Sequence, residues 1–391
     1  MYDIIVIGAG IAGSYTAREF ARLGHSVAVL EKHPEPGHKT SCTGIISQAC
    51  LDMLPGSHRV IQREARSATI VSPAGNHIRI ERETTQAYIL DRAALDRLVA
   101  EQAGKIGVDY FFSALATGLQ SDDRGVYVKA TQGSRPLELS ARACVIACGT
   151  APGLIRQVGL GRIREYAYGA QAEVTCKNID EVEVYSGRQI APGFFAWLVP
   201  TLPGKAKAGL LSKSNPGPAI ADFLKYLEGQ GKIPPASPDI SFGSIPLKPL
   251  TKTYANRILV VGDAAGQTKP TTGGGIYFSL ICAGIAVRTL DESLKAGDLS
   301  TRHLALYQKR WHKILKHELD IDYWAHRFYR GLTDKQSEHI FQVILRHGIH
   351  ESLLTSPDIT FDWHSKVILD AIRHRSLQRS LVKFKLFPPP A

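Results

Sequence analysis

Residues 2–33 read YDIIVIGAGIAGSYTAREFARLGHSVAVLEKH, and this stretch decides the fold of the chain. The run DIIVIG is rich in β-branched residues and predicts a strand, and Ser14 to Leu23 predicts a helix. SVAVLE predicts a second strand, which ends at Glu31. Strand, glycine turn, helix and strand together make a complete βαβ unit.

The turn of this unit carries Gly8, Gly10 and Gly13 in the pattern GxGxxG. The first glycine permits a tight turn, the second lets a pyrophosphate approach the backbone, and the third lets the helix pack closely on the strand. The start of the helix also favours phosphate, and Glu31 is placed to hydrogen-bond a ribose hydroxyl. The pattern therefore predicts dinucleotide binding, the alternative being a glycine turn without a ligand.

At 391 residues the chain is too long for one ordinary core, so two or three structural units are expected. The section from Ala167 to about Gly243 alternates strand-like pieces with proline and glycine breaks, which predicts an inserted antiparallel sheet. NRILVVGDAAG predicts a return to a buried strand, and the sequence after it predicts a long helix. From about Ser300 the chain is predicted to be helical.

Helical spacing predicts two apolar faces in these regions. The first consists of Leu90, Ala94, Leu95 and Leu98, and the second of Tyr307, Trp311, Leu315 and Leu319. The second face is expected to cover the inserted sheet.

Composition indicates a soluble globular protein, with 44% hydrophobic and 21% charged residues. The net charge of +11 favours an anionic partner, the alternative being a generally basic soluble protein. No nucleic-acid recognition fold is evident, so nucleic acid is not an expected partner. The six cysteines are scattered without metal spacing or a signal peptide, which predicts a cytoplasmic protein with neither disulfides nor a metal site. No apolar run is long enough to span a membrane, so any membrane contact should be peripheral.

Residues 258–276, ILVVGDAAGQTKPTTGGGI, resemble the second FAD motif of the hydroxylase-type flavoproteins. The resemblance implies that Asp263 binds the ribityl or pyrophosphate region of FAD. It also implies that the isoalloxazine ring is lined by Gly273, Gly274 and Gly275. LDRAALDRL resembles a further pattern of this group and implies that Arg92 contacts FAD, the alternative being a solvated arginine at a helix start.

Two further motifs resemble those of the geranylgeranyl reductase family, which includes the digeranylgeranylglycerophospholipid reductases. PGFFAWLVP, residues 192–200, is similar to the P-x-x-Y-x-W-x-F-P motif, with Phe195 at the tyrosine position and Val199 at the phenylalanine position. CTGIIS, residues 42–47, is similar to the cysteine-glycine motif that the family places beside the flavin. The resemblance covers roughly residues 1–330.

The resemblance implies an α/β fold with a Rossmann-like FAD-binding domain of the glutathione reductase and hydroxylase type. We expect this discontinuous domain to consist of residues 1–60, 88–165 and 245–300. An inserted antiparallel sheet domain that binds the prenyl substrate is expected at 61–87 and 166–244. A helical C-terminal region is expected at 301–391.

An isoprenoid double bond offers no polar group, so its site needs an apolar tunnel beside the flavin. The candidate lining residues are Phe194, Phe195, Trp197, Leu198 and Pro200, the alternative being ordinary strand core. Reduced flavin delivers hydride to one alkene carbon, and the other carbon must receive a proton. Cys42 is the candidate donor, directly or through a water, and Gly44 would let the backbone pass close to the flavin. The alternative for Cys42 is a buried thiol without a catalytic role.

The predicted function is FAD-dependent hydrogenation of a geranylgeranyl chain on a diphosphate, a lipid or a related carrier. The electron donor is expected to be external, either NADPH or a ferredoxin-like protein. One alternative is an FAD monooxygenase that uses NAD(P)H and O₂. The other is a non-catalytic flavoprotein that binds prenyl lipids.

Basic and apolar residues alternate between Lys366 and Ala391, which suggests contact with an anionic membrane surface. The alternative is a helix that packs its apolar face on the protein. The basic residues are Lys366, Arg373, Arg375, Arg379, Lys383 and Lys385, and the apolar ones are Leu377, Leu381, Val382, Phe384, Leu386 and Phe387.

Overall fold

The computed structural model describes residues 1–38, 41–354 and 360–383. Its strands, in chain order, are β1 (Tyr2–Ile7), β2 (Val27–Leu30), β3 (Ile45–Ile46), β4 (Ile61–Ala65), β5 (Ser67–Val71), β6 (His77–Glu81), β7 (Ala87–Leu90), β8 (Asp109–Phe111), β9 (Ala114–Ser121), β10 (Val126–Gln132), β11 (Arg135–Ile146), β12 (Tyr166–Thr175), β13 (Val182–Ser186), β14 (Phe195–Pro200), β15 (Lys205–Ser212), β16 (Ile240–Pro246), β17 (Tyr254–Ala255) and β18 (Ile258–Val260). Its α-helices are α1 (Ile11–Arg22), α2 (Gln48–Asp52), α3 (Arg92–Gly104), α4 (Gly153–Gln157), α5 (Gly217–Gly229), α6 (Ile276–Ala296), α7 (Thr301–Gly331), α8 (Asp334–Arg346), α9 (Ile349–Leu354), α10 (Ser365–Arg373) and α11 (Arg375–Lys383).

An eight-stranded sheet forms around the opening βαβ unit, in the order β17-β18-β11-β1-β2-β8, with β10 and β9 extending from β11. β1 lies parallel to both β11 and β2, and every residue of β2 is buried. Strands covered on both faces are uniformly apolar in this way. One face packs on α1, α6 and α7, where Phe20, Phe278 and Trp311 are fully buried. The first helix starts at Ile11, three positions before the predicted Ser14, because the turn ends at Gly10.

The inserted sheet has seven strands in the order β16-β12-β15-β14-β13-β5-β6. All its pairs are antiparallel except β13 with β5, which run parallel. Helix α5 covers one face, where Ile220, Phe223 and Leu227 pack on small strand residues. The opposite face, which we call the open face, contacts Cys42, Gly273 and Tyr323. The structure thus confirms the predicted α/β class with an inserted, largely antiparallel sheet and a helical C-terminal region.

A small third sheet, in the order β3-β7-β4, leads into α3. Leu90 belongs to β7 and Asp91 caps the helix, accepting a hydrogen bond from the Ala94 amide. Helical spacing therefore starts after Asp91, and the predicted face that began at Leu90 is wrong. The buried residues of α3 are Leu95, Asp96, Val99, Ala100 and Ala103.

The long helix α7 buries Tyr307, Trp311, Leu315 and Leu319, as its spacing predicts. However, these four residues pack in the core of the first sheet rather than on the inserted sheet. Near the end of the described chain, Leu377 and Leu381 of α11 are buried against Val343 and Ile349.

This packing agrees with the second interpretation of the segment that starts at Lys366, in which a helix packs its apolar face on the protein instead of contacting a membrane. Phe384, Lys385, Leu386 and Phe387 lie outside the described residues. Across residues 1–38, 41–354 and 360–383, no helix has the length and apolarity to cross a membrane.

Candidate functional site

In the glycine turn after β1, two of the three glycines are required by close backbone contacts within the protein. A Cβ on Gly8, whose φ is +109°, would lie 2.4 Å from the Ala147 carbonyl oxygen, and one on Gly13 would lie 1.8 Å from the Gly8 oxygen. Gly10 is exposed, and within the described chain no atom lies within 4 Å of the position its Cβ would take. The first and third glycines therefore bring backbones together, whereas the second leaves room at the start of α1 for a ligand such as a pyrophosphate.

The carboxylate of Glu31 is fixed beside this turn. It accepts hydrogen bonds from the Ala9 amide at 2.8 Å and from the His33 amide at 2.9 Å. His33 Nδ1 lies 2.9 Å from the same Oε1 that receives the His33 amide. A carboxylate has about four acceptor positions, so these contacts leave capacity for a ribose hydroxyl group. Glu31 therefore orients the turn and can still receive a nucleotide.

Asp263 follows β18 in a short 3₁₀ turn, and its Oδ1 lies 3.1 Å from the position of a Cβ on Gly275. Burial raises the pKa of this carboxyl to about 6, and the positive charge of Arg92 acts in the opposite direction. No hydrogen-bond donor reaches the carboxylate from the described residues. Asp263 and the glycines of the second motif therefore lie close together. The Asp263 carboxylate can accept hydrogen bonds there from the hydroxyl groups of a cofactor such as FAD.

The turn formed by Gly273, Gly274 and Gly275 precedes α6 and contacts the inserted sheet. Gly273 has a φ of +72°, and a Cβ there would lie 2.6 Å from Ile245 Cδ1 and 3.2 Å from Leu211 Cδ1. Gly274 is exposed. We call residues 269–275 the glycine-rich turn. It lies at the junction of the two large sheets.

Cys42 lies at the same junction, on the open face of the inserted sheet. The Cys42 carbonyl accepts hydrogen bonds from Lys207 Nζ at 3.0 Å and from Gln171 Nε2 at 3.3 Å. Its sulfur receives the Arg92 guanidinium at 3.4 Å and the Gly44 amide at 3.4 Å. The residue is therefore held by the sheet through its backbone and faces a cation through its thiol.

The Arg92 side chain is only 11% exposed, so the alternative of a solvated arginine is wrong. It pairs with Asp96 through two contacts of 2.9 and 3.1 Å. Burial opposes its charge, but Asp96 and Cys42 outweigh that effect and raise its pKa. A permanent positive charge therefore lies 3.4 Å from the Cys42 sulfur.

Gly44 has a reason within the protein for being glycine. Its φ is +82°, and a Cβ would lie 2.2 Å from the Leu90 oxygen. The Leu90 amide in turn donates to the Gly44 oxygen at 3.0 Å. Close pairing with β7 thus requires glycine here even without a flavin nearby.

The residues of the 192–200 motif divide between two environments, and its three aromatic residues share one of them. The aromatic cluster, as we call it, consists of Ala167, Phe194, Phe195, Trp197, Leu211, Ile245, Leu247 and Tyr323. Leu198 lies on the opposite face, in the core beneath α5, because successive strand residues alternate. Its predicted role in lining a substrate site is therefore wrong. Pro200 is buried at the end of β14 and is not part of the cluster.

Sequence reasoning missed Gln171 and Lys207, which hold the Cys42 backbone. Both lie on strands whose other residues are mostly buried and small, and burial lowers the pKa of Lys207. A lysine that alternates with alanines in KAKAG is the signal that could have identified it.

A second group that the sequence did not reveal lies on α7. Asp322 is fully buried, and its carboxylate lies near the Thr271 hydroxyl and 3.8 Å from His364 Nδ1, but no well-formed hydrogen bond reaches either oxygen in the described structure. Burial, with the neighbouring Glu318 charge, raises the pKa of Asp322 to about 7. One turn on, His326 stacks on Phe194 with ring centroids 4.4 Å apart, and burial lowers its pKa to about 4.

Residues 360–365, which we call the C-terminal strap, cross the glycine-rich turn beside α7. Asp362 pairs with the buried Lys269 at 3.3 Å, and His364 Nδ1 lies 3.0 Å from the Thr271 hydroxyl. Glu318 accepts hydrogen bonds from the His364 and Ser365 amides. The strap therefore holds the glycine-rich turn in place through Lys269 and Thr271.

The chain is similar to known flavoproteins over most of its length. The FAD dependent oxidoreductase family profile matches residues 3–72. Digeranylgeranylglycerophospholipid reductase 2 of Methanothermobacter thermautotrophicus is 31% identical, covering 86% of this chain and 89% of the relative. The digeranylgeranylglycerophospholipid reductase of Methanosarcina mazei is also 31% identical, covering 85% and 86%. A geranylgeranyl bacteriochlorophyll reductase-like protein from Thermoplasma acidophilum shares the fold, with a TM-score of 0.86, 21% identity and 98% coverage of both chains.

Proposed function

Because the chain belongs to the digeranylgeranylglycerophospholipid reductase family, we propose that it reduces double bonds of a geranylgeranyl chain carried by a glycerophospholipid. It is an FAD-dependent oxidoreductase. The observation that carries the proposal is the contact of Gly273 with Ile245 and Leu211. Through it, the turn assigned to the flavin ring meets the aromatic cluster, an apolar surface suited to a prenyl chain.

The residues that would hold FAD are distributed around the first sheet. The start of α1 at Gly10 suits the pyrophosphate, Glu31 suits a ribose, and Asp263 suits the ribityl or pyrophosphate region. Bound FAD, once reduced by an external donor, supplies hydride to one carbon of the double bond. NADPH and a ferredoxin-like protein are both suitable donors.

The aromatic cluster would exclude water and align the double bond. Phe195 and Trp197 are half-buried on the face that carries Cys42, whereas Phe194 is buried beneath them. Apolar walls leave the alkene no competing polar contact, so its position is fixed by shape and by burial.

The second carbon needs a proton, and Cys42 is the proposed donor. As its S–H bond breaks, the sulfur keeps the electron pair and becomes a thiolate. Arg92 Nη1 is 3.4 Å from that sulfur and would stabilise its charge. Lys207 and Gln171 keep the backbone of Cys42 in place while this occurs.

A lipid substrate requires access to a membrane surface. Leu377 and Leu381 are buried against the protein, so contact by the described tail would depend on basic residues such as Arg375 and Arg379. Each cation near an anionic surface contributes roughly 1 kcal/mol. We therefore propose a salt-sensitive, peripheral contact.

The test uses FAD-loaded protein reduced with dithionite in the absence of oxygen. Geranylgeranylated glycerophospholipid and geranylgeranyl diphosphate are added separately, and products are measured by mass spectrometry. We expect a gain of about two mass units per reduced double bond on the phospholipid. No gain with either compound, together with flavin reoxidation only by oxygen, would contradict the proposal and favour the monooxygenase.

The role of Cys42 is tested in the same assay. We expect Cys42→Ser to retain FAD and to slow lipid reduction about 100-fold, within the usual contribution of a positioned acid. Cys176→Ser is the control, because Cys176 lies in the inserted sheet core away from the junction. Equal rates in wild type and Cys42→Ser would exclude a catalytic thiol.

A further inference from the structure

Gln171, Gly209 and Trp197 form a row across three neighbouring strands. Gln171 on β12 lies directly opposite Gly209 on β15, and Gly209 lies directly opposite Trp197 on β14. Directly opposed residues project from the same face of a sheet. The row therefore lies on the open face, beside the backbone of Cys42.

Gly209 allows the Trp197 indole to lie across the middle of this row. A Cβ on Gly209 would be 2.5 Å from Trp197 Cζ2 and 2.8 Å from Nε1. The N–H edge of the indole thus lies above β15, toward the strand that carries Gln171. Any larger residue at position 209 would displace it.

The amide of Gln171 is oriented by Cys42. A backbone carbonyl only accepts, so the group that contacts it at 3.3 Å is the amide NH₂, and Oε1 faces elsewhere. Gln171 is 7% exposed. Among the described residues, its Oε1 has no donor and Trp197 Nε1 has no acceptor, although both atoms are buried.

One oxygen can satisfy both groups. Leaving a buried donor or acceptor unpaired costs about 1–3 kcal/mol, so such atoms are normally paired with protein or water. The Cβ position of Gly209 lies about 4.5–5.5 Å from that of the opposed Gln171 and 2.8 Å from Trp197 Nε1, a separation that one bridging water spans. The oxygen must accept from the indole and donate to the amide, which a hydroxyl or water does and an ether or carbonyl does not.

We propose that Trp197 and Gln171 hold a water molecule beside Cys42, and that this water returns a proton to Cys42 after each double bond is reduced. The inference rests on the proposed function. A thiol carries one proton, so a substrate with several double bonds needs it restored between reductions. Trp197 and Gln171 are thus positioning residues.

The proton balance follows from these contacts. The Cys42 S–H bond breaks as its proton joins one alkene carbon and hydride joins the other. The held water gives one proton to the thiolate, which forms a new S–H bond, while the water takes another proton from a solvent acid such as hydronium or buffer, so no hydroxide is left. The Lys207 ammonium, which contacts the Cys42 carbonyl, favours the negative charge of the thiolate until this transfer is complete.

The kinetic test follows successive reductions of one geranylgeranylated glycerophospholipid by dithionite-reduced protein. Trp197→Phe keeps a ring and removes the N–H. Because Trp197 also belongs to the aromatic cluster, the readout is the ratio of the later reduction rates to the first, and we expect this ratio to be about tenfold lower in the variant than in the wild type. Equal slowing of all steps would mean a damaged prenyl site and would overturn the inference. Inactive wild-type protein would instead refute the proposed function.

Gln171→Leu provides a second variant in case Trp197→Phe does not load FAD, and the same split between first and later reductions is expected. A crystal structure of the FAD-loaded wild type tests the site directly. An oxygen within 3.2 Å of both Trp197 Nε1 and Gln171 Oε1 without substrate supports the proposal. An oxygen that appears only with substrate, or none at all, overturns it.

Discussion

Replacing Asp322 with asparagine should change how stability depends on pH. Asp322 is fully buried, and its pKa is raised to about 7, chiefly by burial and next by Glu318. In the unfolded chain the ordinary value is 3.8, so between these two values the folded protein holds a proton that the unfolded chain has lost. The free energy of unfolding of the wild type therefore falls as pH rises through this window, by at most about 1.4 kcal/mol per unit. Asparagine does not titrate.

The size of the effect follows from the two pKa values. Between pH 5 and pH 8 the shift from 3.8 to about 7 removes roughly 2.5 kcal/mol from the wild type. Unfolding 391 residues carries an entropy of about 0.8 kcal/mol per degree, so this corresponds to roughly 3 °C. Burial lowers the pKa of the neighbouring His364 to about 3, so folded His364 is neutral from pH 5 to pH 8. Its contribution to the free energy of unfolding is therefore the same in wild type and variant.

The assay is the melting temperature of FAD-loaded wild type and Asp322→Asn at pH 5, 6.5 and 8. We expect the variant to gain about 3 °C relative to wild type from the lowest to the highest pH. Asp320→Asn is the control, because Asp320 lies on the same helix with 62% of its side chain exposed. A difference between wild type and Asp322→Asn that does not change with pH would refute the reasoning.

Two further predictions concern the cofactor. Gly13→Ala should prevent stable folding, because its Cβ would lie 1.8 Å from the Gly8 oxygen. Gly10→Val should leave the melting temperature of the FAD-free protein within about 2 °C of the wild-type value, because no atom of the described chain lies near that Cβ. It should nevertheless reduce FAD retention at least tenfold, because its side chain would occupy the space for the pyrophosphate. Gel filtration with absorbance at 450 nm measures retention, and a fully yellow Gly10→Val would contradict the pyrophosphate assignment. FAD affinity should rise by up to about tenfold per unit as pH increases toward 6, since cofactor hydroxyls favour the Asp263 carboxylate over its acid. Fluorescence titration should show this rise in wild type and a flat profile in Asp263→Asn; equal profiles would exclude contact with the carboxylate.

Local features of the site could be predicted from the sequence, and distant contacts could not. Gly8 and Gly13 pack within one βαβ unit, so the motif and its spacing suffice to interpret them. Strand alternation also predicts that Leu198 and Trp197 lie on opposite faces, so it argues against Leu198 as a lining residue of the substrate site.

Other residues depend on segments far away in the chain. Arg92 contacts Cys42 across 50 positions, and Lys207 contacts it across 165. No periodicity within one segment encodes such pairings. The sequence also did not single out the buried Asp322, because Glu318 and Asp320 stand beside it in the same polar stretch of α7.

The C-terminal strap is synthesised after the glycine-rich turn that it holds in place, and this order should affect when the chain can retain its cofactor. The βαβ unit leaves the ribosome first, but Asp362 and His364, which fix Lys269 and Thr271, are made long after the glycine-rich turn. A nascent chain can therefore form the βαβ unit well before the glycine-rich turn is held in place. We expect firm retention of the flavin to begin only when the strap has docked, so that chains ending before residue 360 should release the cofactor more readily than chains that include the strap.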